Sequence, residues 1–298
     1  MSPTICELFR TRRPPLLSFE FFPPRDEQGL EALKTAAAQL RAAQPDFVTV
    51  TYGAGGSTRE RTFEICALLR DMGFGPVMPH LTCVGSTRNE LEDLTDEVHR
   101  RGYRNVMALR GDPPKGESEF RAVADGLAHA SDLVALAAKR HPDFCLGVAG
   151  YPETHPEAES ADADIAWLKR KTEAGAGFVT TQLFFDNAVY FSFLRRCRNA
   201  GILLPILPGL LPAVSLKQAQ RMTVRCKASL PPALAAGMEA AGGEGGAAEE
   251  VGIAWAARQI DELLREGAPG IHLYVLNRSN AALTPALVDC FARYRSGL

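Results

Sequence analysis

The sequence predicts an α/β fold of the (β/α)8 TIM-barrel class, a single domain over residues 1–298. Three observations carry that expectation. Eight short apolar runs recur at a spacing of roughly 25–40 residues, each followed by a stretch with helical periodicity. The runs lack polar alternation, as parallel strands covered on both faces do. Polar and titratable residues stand at the C-terminal end of nearly every run, where such barrels carry their chemistry. A doubly wound sheet is the competing fold, but its glycine-rich first turn, GxGxxG, is absent.

The elements follow in order. LLSFEFFPPR (16–25) reads as the first strand, halted at Pro23-Pro24, with Phe19, Phe21 and Phe22 as core. It holds one carboxylate, Glu20, and burying an unpaired carboxylate is costly, so Glu20 is either a satisfied structural residue or a chemical one. A helix is expected over 27–42. FVTVTY (47–52) is the second strand, ended by Gly53-Ala54-Gly55-Gly56, and Ser57 with Glu60 forms a capping box for the next helix. PVMPHLTC (76–83), NVMAL (105–109) and FCLGVA (144–149) are the third to fifth strands, with helices over 87–101, 122–140 and 161–174. FVTTQLFF (178–185) is the sixth strand, and Asp186 opens the helix after it. The seventh strand spans 202–207, broken by Pro208-Gly209, and Ser215 caps a helix to about 229. IHLYV (271–275) is the eighth strand, between helices over 254–266 and 281–294. The Ala/Gly/Glu-rich stretch 231–250 reads as an exposed insertion without an assigned role.

Composition excludes several classes. The 298-residue chain carries a net charge of −2, which gives no electrostatic footprint for nucleic acid or an anionic membrane. Arg10, Arg12 and Arg13 form the one N-terminal basic cluster and read as a solvated turn. The N-terminus has no signal-peptide h-region, and no apolar run approaches the ~20 residues of a membrane helix. The seven cysteines are dispersed without a CxxC pair, which predicts reduced thiols in a cytoplasm rather than disulfides or a zinc site. His80, His155 and His272 read as isolated, so no metal site is expected. No strand ends in the lysine that a Schiff-base aldolase needs.

Read off the strand ends, the candidate site comprises Glu20; Thr51 and Tyr52; His80 and Thr82; Arg110 and Asp112; Tyr151 and His155; Gln182 and Asp186; and Tyr274, Asn277 and Arg278. Carboxylates, guanidinium groups, hydroxyls and an amide suit general acid chemistry on a large organic ligand and cofactor, with Arg110, Arg170 and Lys171 available to a pyrophosphate.

At these residues the chain resembles a known family. SFEFFPPR (18–25), VTYGAGGSTRERT (50–62), PHLTC (79–83), ALRGDPP (108–114), YPETHPEA (151–158), LKRKTEAGA (168–176), TTQLFFD (180–186) and LYVLNR (273–278) together resemble methylenetetrahydrofolate reductase, in order and over nearly the whole chain. The length is similar to the bacterial form that has the catalytic domain only. The resemblance implies a barrel that binds FAD and reduces 5,10-methylenetetrahydrofolate to 5-methyltetrahydrofolate by a ping-pong route, with NADH or NADPH as donor. It implies FAD contacts from Thr51, His80, Leu109, Arg110, Gly111, Asp112, His129, Ala130, Tyr151, His155, Asp164, Arg170 and Lys171. It places Gln182, Met222, Tyr274 and Arg278, with Glu20 and Asp112, at the folate or nicotinamide. Glu20 matches the general acid that protonates N10, opening the imidazolidine ring to an N5 iminium cation, and Asp112 would stabilise that cation. An acid in an apolar strand is expected to have a raised pKa.

Three positions depart from the family pattern. Met222 stands where an aromatic residue tends to cover the ligand, His129 where tyrosine is frequent, and Trp167 where a polar residue is frequent. No acidic or basic ribose reader is identifiable. The expected setting is a cytoplasmic homo-oligomer with small-molecule substrates and no nucleic-acid or membrane partner. Two other readings remain: a flavin- or folate-binding barrel without reductase activity, and a flavin amine dehydrogenase similar to proline dehydrogenase.

Overall fold

The computed structural model describes residues 3–11, 15–52, 59–113, 116–117, 119–279, 281–282 and 284–296. Arg12 and Arg13, the glycine turn at 53–56, the Ser57 cap and Pro114 lie outside the described residues.

Parallel strands with helices between them build the barrel. β1 (Leu16–Phe21), β2 (Phe47–Val50), β3 (Val77–Thr82), β4 (Asn105–Leu109), β5 (Cys145–Gly150) and β6 (Phe178–Thr181) pair in sequence order, and β9 (Gly270–Tyr274) pairs with β1. The two ends of the sheet, β7 (Ile206–Leu207) and β8 (Gly209–Leu210), are neighbours in the chain, parted only by Pro208. They are one barrel strand, the seventh, interrupted where proline has no N–H to give a ladder. Pro208 still accepts a bond from the backbone N–H of His272 at 2.9 Å. The strand expected over 202–207 is corrected accordingly.

The surrounding helices are α2 (Glu27–Leu40), α3 (Arg59–Asp71), α4 (Arg88–Arg100), α5 (Ala130–Arg140), α6 (Ala161–Glu173), α7 (Asn187–Asn199), α8 (Leu216–Cys226), α10 (Gly246–Arg265) and α11 (Pro285–Arg295). Side-chain caps start most of them: Asp26, Thr87, Ser160, Asp186 and Ser215 each accept a backbone N–H of the first turn, worth about 1 kcal/mol apiece. Two helix starts differ from expectation. α5 begins at Ala130, not 122, because His129 and Asp132 close a capping box there. α10 begins at Gly246, well before 254, and its early turns bury Ala248 and Gly252.

Most of the 231–250 stretch is exposed, with Leu234, Met238 and Ala248 buried. It forms α9 (Pro232–Ala240), a turn and the start of α10. Leu234 and Met238 of α9 are buried in a satellite cluster with Leu183, Phe185, Leu211 and Ala219.

Period-two alternation divides β1 between two environments. Phe19 and Phe21 face outward and are fully buried against the helices, whereas Ser18 and Glu20 face the barrel lumen. Phe22 lies beyond the strand and is 40% exposed, which corrects its placement in the core.

The lumen is layered. Its lower end is apolar, built from Phe47, Met78, Met107, Cys145, Phe178 and Leu207. A short helix that the sequence reading did not foresee, α1 (Ile5–Thr11), plugs it with Ile5, whose backbone N–H bonds to Asn105 Oδ1 at 2.7 Å. Cys6 of α1 and Cys145 of β5 are joined in a disulfide across 139 residues, correcting the expectation of seven reduced thiols. Sequence spacing carried no sign of the pair, because it is the return of α1 beneath the barrel that brings them together. Cys66, Cys83, Cys197, Cys226 and Cys290 are free. Among the described residues no helix is long and apolar enough to cross a membrane.

Candidate active site

Above the apolar floor the lumen turns polar, and Glu20 stands at its centre. Strand register sets this out. Ser18 lies beside His272, and Glu20 beside Thr49 on one side and Tyr274 on the other. Glu20 Oε2 is 3.5 Å from His272 Nε2 and 3.6 Å from His80 Nε2. The other ring nitrogen of His272 is 2.8 Å from Ser18 Oγ. His80 and His272 are therefore not isolated, as the sequence suggested. They converge from β3 and β9 on one carboxylate.

This geometry reverses the expected pKa of Glu20. Burial pushes it upward, but the His272 side chain, the charges of His80 and His272 and the Thr49 hydroxyl outweigh burial and hold it below its ordinary value of 4.5. The expectation of a raised pKa treated the sequence neighbours Phe19 and Phe21 as its surroundings, and they point the other way. Burial brings His80 down to about 4, against the pull of Glu20, so it is neutral near pH 7. Glu20 is thus ionised between two buried imidazoles.

Five buried polar atoms among the described residues have no hydrogen-bond partner: Thr49 Oγ1, His80 Nε2, Thr82 Oγ1, Thr180 Oγ1 and His272 Nε2. All belong to barrel strands. Thr49 Oγ1, His80 Nε2 and His272 Nε2 face Glu20; buried polar atoms in native proteins are nearly always satisfied, so the Thr82 and Thr180 hydroxyls are left to meet polar groups from elsewhere.

Tyr274 roofs the layer on one side. Its ring packs edge-on to His272 at 5.0 Å, and its hydroxyl donates to the Thr181 carbonyl at 2.7 Å. Burial pushes the phenol well up, so it stays a donor. The path of the ring requires Gly209, where a Cβ would come within 2.7 Å of Tyr274 Cε2. Thr51 is half-buried at the end of β2, and Gln182 is half-buried after β6, its Oε1 turned back onto the Leu183 N–H at 2.9 Å.

A second group lines the rim after β4 and β5. Arg110 is held by Glu157 through two bonds, 2.5 and 2.8 Å, which offset its charge. Gly111 has φ 93°, and a Cβ there would press on Val84 at 3.0 Å. Asp112 is exposed and lies within electrostatic reach of Arg110 and Tyr151. Tyr151 packs edge-on to His155 at 4.6 Å. The His155 backbone N–H bonds to Asp164 at 2.9 Å, and its Nδ1 accepts the Glu157 N–H at 3.1 Å. Lys171 donates to the Ala149 carbonyl at 2.5 Å, and burial, despite Asp164, lowers its ammonium to about 8.

A third group lies on the outer arc. His129 stacks on Trp167 at 4.2 Å, and the Arg170 guanidinium lies 4.3 Å from the same ring. Ala130 is the first residue of α5, and half-buried Leu109 packs on the apolar floor. Met222 and Tyr274, both half-buried, pack against the same satellite cluster, and Arg278 is exposed and lines a cavity of about 320 Å³.

His272, Ser18, Thr49 and Glu157 are the residues sequence reasoning missed, together with Gln218 of α8, which lines the same cavity as Arg278. For His272 a signal existed: it precedes Tyr274 by two in a strand, so the two share a face. Glu157 and Gln218 had no comparable signal, since both depend on loop and helix placement. A surface group, His99, His141 and Asp143, has ligand atoms within 4.8 Å of one another. Its imidazoles are stacked at 15°, so their in-plane lone pairs run parallel rather than toward one ion.

A (β/α)8 barrel with one ionised carboxylate between buried histidines, and a polar layer open to a ligand, defines a barrel enzyme working at its C-terminal mouth. The particular family is shown by comparison: the methylenetetrahydrofolate reductase family profile matches residues 7–286, and the chain belongs to that family. It is 39% identical over 263 residues to the 5,10-methylenetetrahydrofolate reductase of Escherichia coli strain K12, covering 88% of this chain and 86% of that protein. It is 38% identical over 278 residues to the probable methylenetetrahydrofolate reductase (NADH) of Oryza sativa subsp. japonica, covering 90% of this chain and 47% of that protein. The chain thus spans about half the length of the plant relatives it matches. A solved Clostridium thermocellum protein that binds two copies of 5-methyl-5,6,7,8-tetrahydrofolic acid shares the fold, with a TM-score of 0.66 at 19% identity over 98% of this chain and 99% of that one.

Proposed function

We propose that the chain reduces 5,10-methylenetetrahydrofolate to 5-methyltetrahydrofolate, with FAD as cofactor and NADH or NADPH as donor. The observation that carries this reading is Glu20, poised in a polar lumen beside His80 and His272 within a chain of the reductase family. The hydroxyls of Thr82 and Thr180, left without partners in the lumen, fit a large polar cofactor. Thr51, His80, the main chain at Leu109, Arg110 and Gly111, and Tyr151, His155 and Asp164 would hold FAD. Lys171 and Arg170 would meet its pyrophosphate, since Arg110 is already neutralised by Glu157. His129 and Ala130 would flank its outer end. FAD, when bound, supplies hydride transfer between nicotinamide and folate.

The chain's own residues then do three things. Glu20 takes up a proton from solvent as folate docking desolvates it, then delivers that proton to N10, which opens the imidazolidine ring. Asp112 offers a negative charge to the resulting N5 iminium. Gln182, Tyr274, Met222 and Arg278 orient the two substrates in turn.

Anaerobic stopped-flow tests the reading. The FAD-loaded protein should bleach with NADH or NADPH and recover its colour with methylenetetrahydrofolate. A protein that cannot take up FAD, or whose reduced form ignores the folate, would refute it.

Lys171 supplies a second expected result. Its ammonium is charged below about pH 8 and lost above it. The Kd of the cofactor-free protein for FAD should rise about tenfold from pH 7 to pH 9 by that titration alone. Calorimetry or flavin fluorescence reads this directly, and a flat Kd removes Lys171 from pyrophosphate binding.

A further inference from the structure

The cavity beside Tyr274 gives the 231–250 stretch a task. It adjoins the Glu20 layer through Tyr274, and its walls include Gln218 of α8, Glu244 and Glu249 from the α9–α10 turn and first turn of α10, and Arg278 after β9. At about 320 Å³ it is at the small end of ligand pockets, room for one arm of a ligand whose reacting end lies over Glu20.

The turn that presents Glu244 is a built feature. Gly242, Gly243 and Gly245 all have positive φ, and the Gly243 carbonyl accepts the Leu216 N–H of α8 at 2.9 Å. Buried Leu234 and Met238 anchor the helix before it. The backbone of the turn is therefore fixed beside the cavity, and Glu244 at its apex is exposed on the cavity wall.

Charge decides what such a cavity accepts. Its lining carries one guanidinium and two carboxylates, and among the described residues none of the three is held in an ion pair. Arg278 can pair with one anionic group. The partial positive ends of α8 and α10, roughly half a charge each, about offset the one-charge excess of the two carboxylates over Arg278, so the lining is close to neutral before a ligand enters. One carboxylate-bearing arm is accommodated, and each further anionic group meets Glu244 and Glu249 without a cation in reserve.

We propose that Glu244 and Glu249 form a charge gate on the acidic arm of the folate, favouring a monoglutamyl tail over an oligo-γ-glutamyl one. The proposal rests on the reductase reading above. It concerns the tail alone, which takes no part in the chemistry.

The test compares kcat/KM for the monoglutamate and triglutamate forms of methylenetetrahydrofolate in the FAD-loaded protein. The triglutamate-to-monoglutamate ratio should rise about five- to tenfold in E244Q/E249Q, the scale of two partly screened like-charge contacts. E244Q alone, at an exposed turn, should give part of the rise. In the unsubstituted protein, raising salt should move the ratio the same way, because exposed charges are screened. A ratio unmoved by either substitution or salt overturns the gate. Failure to turn over even the monoglutamate overturns the reductase reading, and the gate with it.

Discussion

Glu20→Gln is expected to leave reduction of the bound flavin by NADH nearly intact while slowing the folate half-reaction by about 10³-fold, the mid-range for a positioned general acid. The substitution keeps the shape and a hydrogen-bonding end between His80 and His272, but it removes the one carboxylate that, among the described residues, the lumen brings to those two imidazoles. Ring opening needs a proton at a weakly basic nitrogen, and the nicotinamide half-reaction does not. Single-turnover measurements of each half separate the two. Equal losses in both would show that Glu20 organises the site rather than donating a proton. Preserved folate reduction would move the acid elsewhere.

The second expected result is a pH profile with a definite sign. The folded pKa of Glu20 lies below 4.5, so in the free enzyme its protonated fraction falls tenfold per unit at neutral pH. The kcat/KM for methylenetetrahydrofolate should fall about tenfold per unit between pH 6 and 8, some 100-fold in all. The rate of flavin reduction should show no such slope. His80 cannot replace the lost proton, because it is itself neutral above about pH 4. Folate docking over the lumen adds desolvation, which favours the neutral acid, so the break in kcat should come at higher pH than the break in kcat/KM. A kcat/KM that is level from pH 6 to 8 would mean that the raised pKa is present before substrate arrives. The same depression has a stability counterpart. Glu20 contributes stability above its unfolded pKa, and loses it as the pH falls through its folded value.

The correction at Glu20 shows how far linear neighbours mislead. Phe19 and Phe21 adjoin it in sequence, yet in a strand they face the helices. Its real surroundings are side chains 29, 60 and 252 positions away: Thr49, His80 and His272. Conversely, Arg110 looked like a free cation for a pyrophosphate, and the loop after β5 brings Glu157 to neutralise it. Neither outcome is encoded in local pattern. Each follows from barrel closure, which sets β1 between β2 and β9.

What the sequence determined by itself was the barrel and the inventory of its mouth. Apolar runs, helical periodicity and the Asp186 and Ser215 caps are local signals, and Glu20, Gln182 and Tyr274 stand in motifs that resemble the family's. Tertiary structure alone decided the rest. It placed α1 under the floor and paired Cys6 with Cys145. It also set Glu244 and Glu249 against Arg278, and it made Glu20 an ionised carboxylate rather than a stored acid. The physical reason is common to all four. Proton affinity, disulfide pairing and pocket charge depend on distances between groups far apart in the chain, and those distances exist only once the sheet has closed.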